Sequence, residues 1–173
     1  MKKLLLVSTS VLFIVGFLVP PVSADDTLVR FKGGIGVSVT PPNATTVTPN
    51  VVRSVNPPGQ IWRIGDLEAK VKTNGDIEVE GKGLVLAGGG NIGRATGQHV
   101  FATLICEAAP PFTLRNTNNI TGVPLAPNGD FKIDDVLQPI PPADCTSPVL
   151  LIRNVIGGNW FAAGILQTGN DDD

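Results

Sequence analysis

Apolar and charged residues alternate strictly from Leu67 to Lys72, pause at Thr73-Asn74-Gly75-Asp76, and alternate again from Ile77 to Glu80. A two-residue period puts Leu67, Ala69, Val71, Ile77 and Val79 on one face and the lysines and glutamates on the other, as in a half-buried β-hairpin. Asn-Gly supplies the positive-φ positions of a tight hairpin turn. The same Asn-Gly-Asp-apolar-charged-apolar run recurs from Asn128 to Ile133, predicting a second turn that leads into a strand. Independent use of a common turn explains the match better than a duplicated half-domain. Between Val100 and Cys106 both faces are apolar, with Val100, Ala102, Leu104 and Cys106 on one side and Phe101, Thr103 and Ile105 on the other. That pattern predicts a central strand covered on both faces.

No segment beyond residue 24 sustains a helical apolar repeat. The remaining patterns predict short strands at 29–31 with 35–39, 51–55, 62–72, 77–80, 84–87, 99–107, 123–125, 131–133, 149–154 and 160–166. Pro124 demotes its segment to an edge strand at best. The chain therefore reads as all-β, a single-domain β-sandwich of immunoglobulin-like or jelly-roll-like type, with a closed β-barrel as the alternative. Residues 40–49 read as an exposed loop. With 20 glycines and 15 prolines in 173 residues, turns are frequent enough to separate that many strands.

The amino terminus changes the setting. Lys2 and Lys3 precede an apolar run from Leu4 to Leu18, Pro20 and Pro21 break it, and Val22-Ser23-Ala24 ends on small residues. This is the pattern of a secretory signal peptide, 1–24, cleaved after Ala24. No cysteine follows the apolar run, so a lipid anchor has no attachment point. The mature chain would comprise a domain at 25–168 and a disordered acidic tail at 169–173. It would be secreted, extracellular or periplasmic, with no transmembrane segment after cleavage. Losing Lys2 and Lys3 takes the formal net charge from −2 to −4, which gives no electrostatic reason to bind nucleic acid. In that compartment Cys106 and Cys145 are expected to form a disulfide. The loop of about 40 residues would contribute roughly 4 kcal/mol in the chain-entropy model. Two cysteines, one histidine and no C-x-x-C do not make a zinc site. Asn43-Ala44-Thr45 and Asn119-Ile120-Thr121 match the glycosylation sequon, but the two-lysine signal suits a bacterium and leaves both incidental.

Several motifs bear on chemistry. Gly88-Gly89-Gly90-Asn91-Ile92-Gly93 fits G-x-G-x-x-G, yet no helix of useful length can follow before the next strand, so a dinucleotide site lacks its βαβ context. The bland reading is a loop between strands; a loop of this kind can also close over a ligand, which makes Gly88, Gly89, Gly90, Asn91, Arg94 and His99 the candidate ligand residues. His99, the lone histidine, could serve a hydrolase as base, with Ser38, Ser54 or Ser147 as nucleophile. None of those serines sits in G-x-S-x-G. Glu68, Glu78 and Glu80 are explained by strand alternation, which leaves a glycosidase without a marked acid pair. Asp130, Asp134 and Asp135 are the calcium candidates, though their spacing does not fit an EF-hand loop.

Most of the mature chain resembles an uncharacterised group of small secreted bacterial proteins. The resemblance rests on Arg30-Phe31-Lys32-Gly33-Gly34-Ile35-Gly36-Val37, Gly83-Leu84-Val85-Leu86-Ala87-Gly88-Gly89 and Gly129-Asp130-Phe131-Lys132-Ile133-Asp134-Asp135. Cys145 with Pro148-Val149-Leu150-Leu151-Ile152-Arg153-Asn154, and Asn159-Trp160-Phe161-Ala162-Ala163-Gly164-Ile165, extend it. It implies a shared topology and no catalytic residues. By elimination, the expected role is a non-catalytic binding or structural module for a cell-surface or extracellular ligand, needing no cofactor. Recognition would fall on the loops Gly88 to Gly97 and Asn116 to Thr121. The alternative is a small secreted hydrolase using His99 or a carboxylate pair.

Overall fold

The hairpin forms where the alternation places it, in a computed structural model that describes residues 26–38 and 49–168. The expected signal peptide, the Asn43 sequon, nearly all of the 40–49 loop and the acidic tail lie outside the described residues. In chain order the strands are β1 (Thr27–Gly36), β2 (Trp62–Arg63), β3 (Asp66–Lys72), β4 (Asp76–Lys82), β5 (Val85–Leu86) and β6 (His99–Ile105). They continue as β7 (Arg115–Asn116), β8 (Val123–Pro124), β9 (Phe131–Val136), β10 (Val149–Asn154) and β11 (Trp160–Leu166). Among the described residues there is no helix.

In the β3–β4 hairpin Ala69 faces Val79 and Val71 faces Ile77, and all five apolar residues of the alternation are buried. The turn differs in detail from a two-residue loop. Gly75 donates to the Lys72 carbonyl at 3.0 Å, and of the pair Asn74-Gly75 only glycine takes a positive φ, +93°. The Asn74 side chain accepts from the Asp76 amide at 3.0 Å and donates to its carboxylate at 2.9 Å. Asn128 repeats both bonds with Asp130, at 3.2 and 2.7 Å. The shared sequence run is thus a shared turn, in which the asparagine pins the following aspartate.

Nine strands join in one antiparallel sheet of order β7-β6-β10-β11-β1-β3-β4-β9, with β8 added on β6. Just beyond β9, Gln138 exchanges two backbone hydrogen bonds of 2.8 Å with Asn116 of β7, and the sheet curls nearly closed on itself. The all-β expectation stands; its barrel alternative describes this ring better than a sandwich of two facing sheets. The reason lies in β1. The segments 29–31 and 35–39, expected as two strands, are represented by one long strand, Thr27–Gly36, with a bulge between Phe31 and Gly34; residue 39 lies outside the described residues. It pairs with β3 on one edge and β11 on the other, joining what a sandwich would keep apart. Pro124 explains why closure is incomplete. Leu125 donates to the Gln98 carbonyl at 2.9 Å, so the alternate residue Pro124 turns its backbone away from β6. It has no N–H to offer β9.

Residues opposite each other in a ladder share a face. Ile35 is exposed and pairs with Ala163, which pairs with Leu151, which pairs with Thr103. These point outward, while Ala102, Ile152 and Ala162 point into the barrel. Leu151 and Thr103 are nevertheless fully buried, at 0% exposure. The Thr103 hydroxyl accepts from Arg153 at 3.3 Å and donates to Asn116 at 2.7 Å, and the segment from Asn50 to Asn56 is bonded to Trp160 on the same side of the sheet. The expected strand at 51–55 is instead a tight turn: Val52 and Val55 exchange bonds of 3.0 and 2.8 Å, with Arg53 at φ 46° and Ser54 at φ 69°. Two non-glycine residues at positive φ cost about 1 kcal/mol or more each. Arg53 offsets this by donating to the Ile105 carbonyl at 3.1 Å and to the Ser147 carbonyl and hydroxyl. Cys106 and Cys145 form a disulfide beside it. The central strand is covered on both faces, as its sequence predicted.

The expected 62–72 strand is split. β2 crosses the end of β1, pairs with β5 and stands apart from the main sheet. A Cβ on Gly36 would lie 2.2 Å from the Trp62 carbonyl, so only glycine permits the crossing.

Candidate functional site

At the barrel end where β6 begins and β10 finishes, four separate segments surround a pocket of about 300 Å³. The crossing of β2 over β1 brings Trp62 against Phe161 of β11, the rings nearly parallel with centroids 4.0 Å apart. Both rings are buried and form a rigid floor. Leu86 of β5 adds to that floor, and Pro58 and Gly59 form one rim. Gln60, Asn91, Gln98, Asn154 and Thr96 supply the polar lining. Among the described residues, none that lines the pocket is charged.

The glycine loop is the opposite wall. It folds back over β5, since Leu86 donates to the Arg94 carbonyl at 3.1 Å and accepts from Gly93 at 2.8 Å. The run Gly88, Gly89, Gly90 therefore makes a turn rather than opening a helix, and the phosphate-binding geometry of a dinucleotide fold is not formed. Thr96 is held at φ 54° near the end of the loop, placing a hydroxyl at the pocket. Of the six candidate ligand residues only Asn91 lines the pocket; Gly88, Gly89, Gly90, Arg94 and His99 do not.

His99 is exposed, and its Nδ1 lies 2.9 Å from the Thr121 carbonyl. An imidazole in that contact donates from Nδ1. It anchors the Asn118 to Thr121 turn, in which Asn118 Oδ1 accepts from Ile120 and Thr121 at 3.1 and 3.2 Å. Among the described residues His99 has no serine or carboxylate partner. Ser147 is held by Arg53, at the far end of β6. The three aspartates are not brought together either. Asp130 accepts from the Gly83 amide at 3.0 Å, Asp135 accepts from the Asn118 amide at 2.7 Å, and Asp134 faces Glu78 across the ladder. Among the described residues no three histidine, cysteine, aspartate or glutamate side chains gather to hold a metal ion.

The strongest electrostatics lie at that far end. Arg115 meets Glu107 with contacts of 2.8 and 3.4 Å, and the Thr113 amide adds a third at 3.2 Å. These hydrogen bonds, led by the one from Arg115, hold the Glu107 carboxyl down to about 2. Burial lowers the guanidinium values of Arg53 and Arg153, and Arg153 sits 5.0 Å from the centroid of Phe101. Arg53 and Arg153 serve the outer layer of the fold, whereas Arg115 stands opposite Leu104 on the inward row.

A larger groove of about 350 Å³ crosses the outside of β1, β3, β4 and β9. Its charged side chains stand in cross-strand rows, with Lys132 3.3 Å from Glu80, and it reads as a solvated sheet face. The pocket beneath the glycine loop is the better site because buried rings give it a fixed shape. Gln60, Trp62, Asn154 and Phe161 were not foreseen there. They come from three segments that meet only through the β2 crossing and the β10–β11 turn.

No protein-family model, curated protein or solved structure matches the chain.

Proposed function

We propose that this protein is an exported, non-catalytic binding module that holds a cell-surface or extracellular ligand in the pocket beneath its glycine loop. The observation that carries the reading is the uncharged, amide-lined pocket on a rigid aromatic floor. Its lining has hydrogen-bond donors and acceptors but no group suited to exchange a proton or attack a substrate near neutral pH. The disulfide is consistent with an oxidising compartment, and the signal-like amino terminus supports export. The resemblance to small secreted bacterial proteins supports the same setting.

The test is retention. Purified mature protein is mixed with whole cells, cell-wall material and insoluble polysaccharides, and the protein left in solution is measured. Depletion by at least one material, abolished by Gln60→Ala with Asn91→Ala, supports the module. Full recovery from every material, or depletion indifferent to those substitutions, sinks it.

A further inference from the structure

We infer that the ligand is a neutral saccharide of one or two rings, an inference that rests on the binding reading above. Three of the lining groups are carboxamides free to meet a ligand, those of Gln60, Asn91 and Gln98, and the fourth is the Thr96 hydroxyl. Each carboxamide offers two donors and an accepting oxygen. A sugar hydroxyl both donates and accepts, so it complements either end. The Asn154 amide is already committed: its Oδ1 accepts from the Asn159 amide at 2.8 Å and its Nδ2 donates to the Ile156 carbonyl. It shapes the wall rather than reading the ligand.

Charge decides against the competing ligand classes. A phosphate, carboxylate or ammonium entering this space would shed water without meeting a counter-charge, an unfavourable exchange. Size decides between the neutral ones. A volume of about 300 Å³ stands at the lower bound of small-molecule pockets and suits a compact ring. An extended peptide advances about 3.3 Å per residue and needs a groove along a free strand edge. Trp62 and Phe161 stack on each other and are buried, so they fix the shape of the floor and leave recognition to the polar groups.

The experiment titrates the mature protein by calorimetry and ligand-observed NMR with glucose, N-acetylglucosamine, cellobiose and chitobiose. Glucosamine, galacturonate and triglycine serve as charged and peptide counterparts. Binding of at least one neutral sugar is expected, weakened about tenfold by Gln60→Ala or Asn91→Ala with no change in melting temperature. Both side chains are exposed, so neither substitution endangers the fold. Binding of charged or peptide probes alone, sugar binding unaffected by both substitutions, or no binding by any neutral sugar overturns the saccharide assignment. That assignment can fail while the module survives: depletion by a solid material that needs Gln60 and Asn91 but resists competition by every neutral sugar separates the two.

Discussion

On the wall built by β1, β3, β4 and β9, the outward row Arg30, Lys70, Glu78 and Asp134 is charged throughout and meets water. On the wall built by β6, β10 and β11, outward positions hold Phe101, Thr103 and Leu151, and all are buried. One sheet thus has a single-sided half and a double-sided half. The single-sided half needs only its own alternation to be stable. The double-sided half needs a second layer, and the turn at Arg53, the disulfide and Trp160 provide it. Trp160 ties that layer down by donating through its indole to the Asn50 carbonyl at 2.9 Å. Rigidity in the double-sided half matters for the site, because Asn154 and Phe161 are set by β10 and β11.

Substitutions can break this contrast or sharpen it. The largest effect is expected from Cys106→Ser with Cys145→Ser, which frees a span of 39 residues and should cost about 4 kcal/mol by denaturant titration. Leu151→Ala should cost about 3 kcal/mol despite its outward position, whereas Glu78→Ala in the open wall should change stability by less than about 0.5 kcal/mol. Equal costs would mean that the outer layer does not pack. Arg53→Ala should lose about 2 kcal/mol by stripping a charged donor from two carbonyls. Arg53→Gly should recover part of that, since glycine takes φ 46° without strain.

Glu107 makes a smaller, pH-dependent contribution. Its carboxyl is held at about 2 when folded against about 4.3 in an unfolded chain. Its stabilisation is therefore complete above the unfolded value and lost as pH falls from about 4.3 towards 2. A melting series over that window should fall less steeply in Glu107→Gln. Smallest is Lys132→Ala, which removes an exposed ion pair with Glu80 and should alter stability by less than about 0.5 kcal/mol.

The same division governs what the sequence reveals. Alternation at Leu67 to Val79 announces a half-buried hairpin because every second residue reports its solvent exposure. Two-sided apolarity at Val100 to Cys106 announces a covered strand but does not say what covers it. The turn at Arg53 has the sequence of a strand, because Val51, Val52 and Val55 have strand propensity while Arg53 and Ser54 lack the glycine or asparagine that marks positive φ. β7 escaped notice, being two residues long with one charged side chain. Of the pocket, Asn91 and the loop were legible from local glycine content. Trp62 and Phe161 were not, since a contact between residues so far apart in the chain leaves no local trace.

Pro124 has a last consequence, for behaviour in crowded solution. An unpaired strand edge is a template on which passing chains can add, and successive additions grow fibres. The ring occupies most of its edges with neighbours, and at the seam its outward position holds the residue that cannot donate. A proline there leaves an arriving strand an acceptor but no donor, so the opening that keeps the barrel from closing is also a poor template for a further strand.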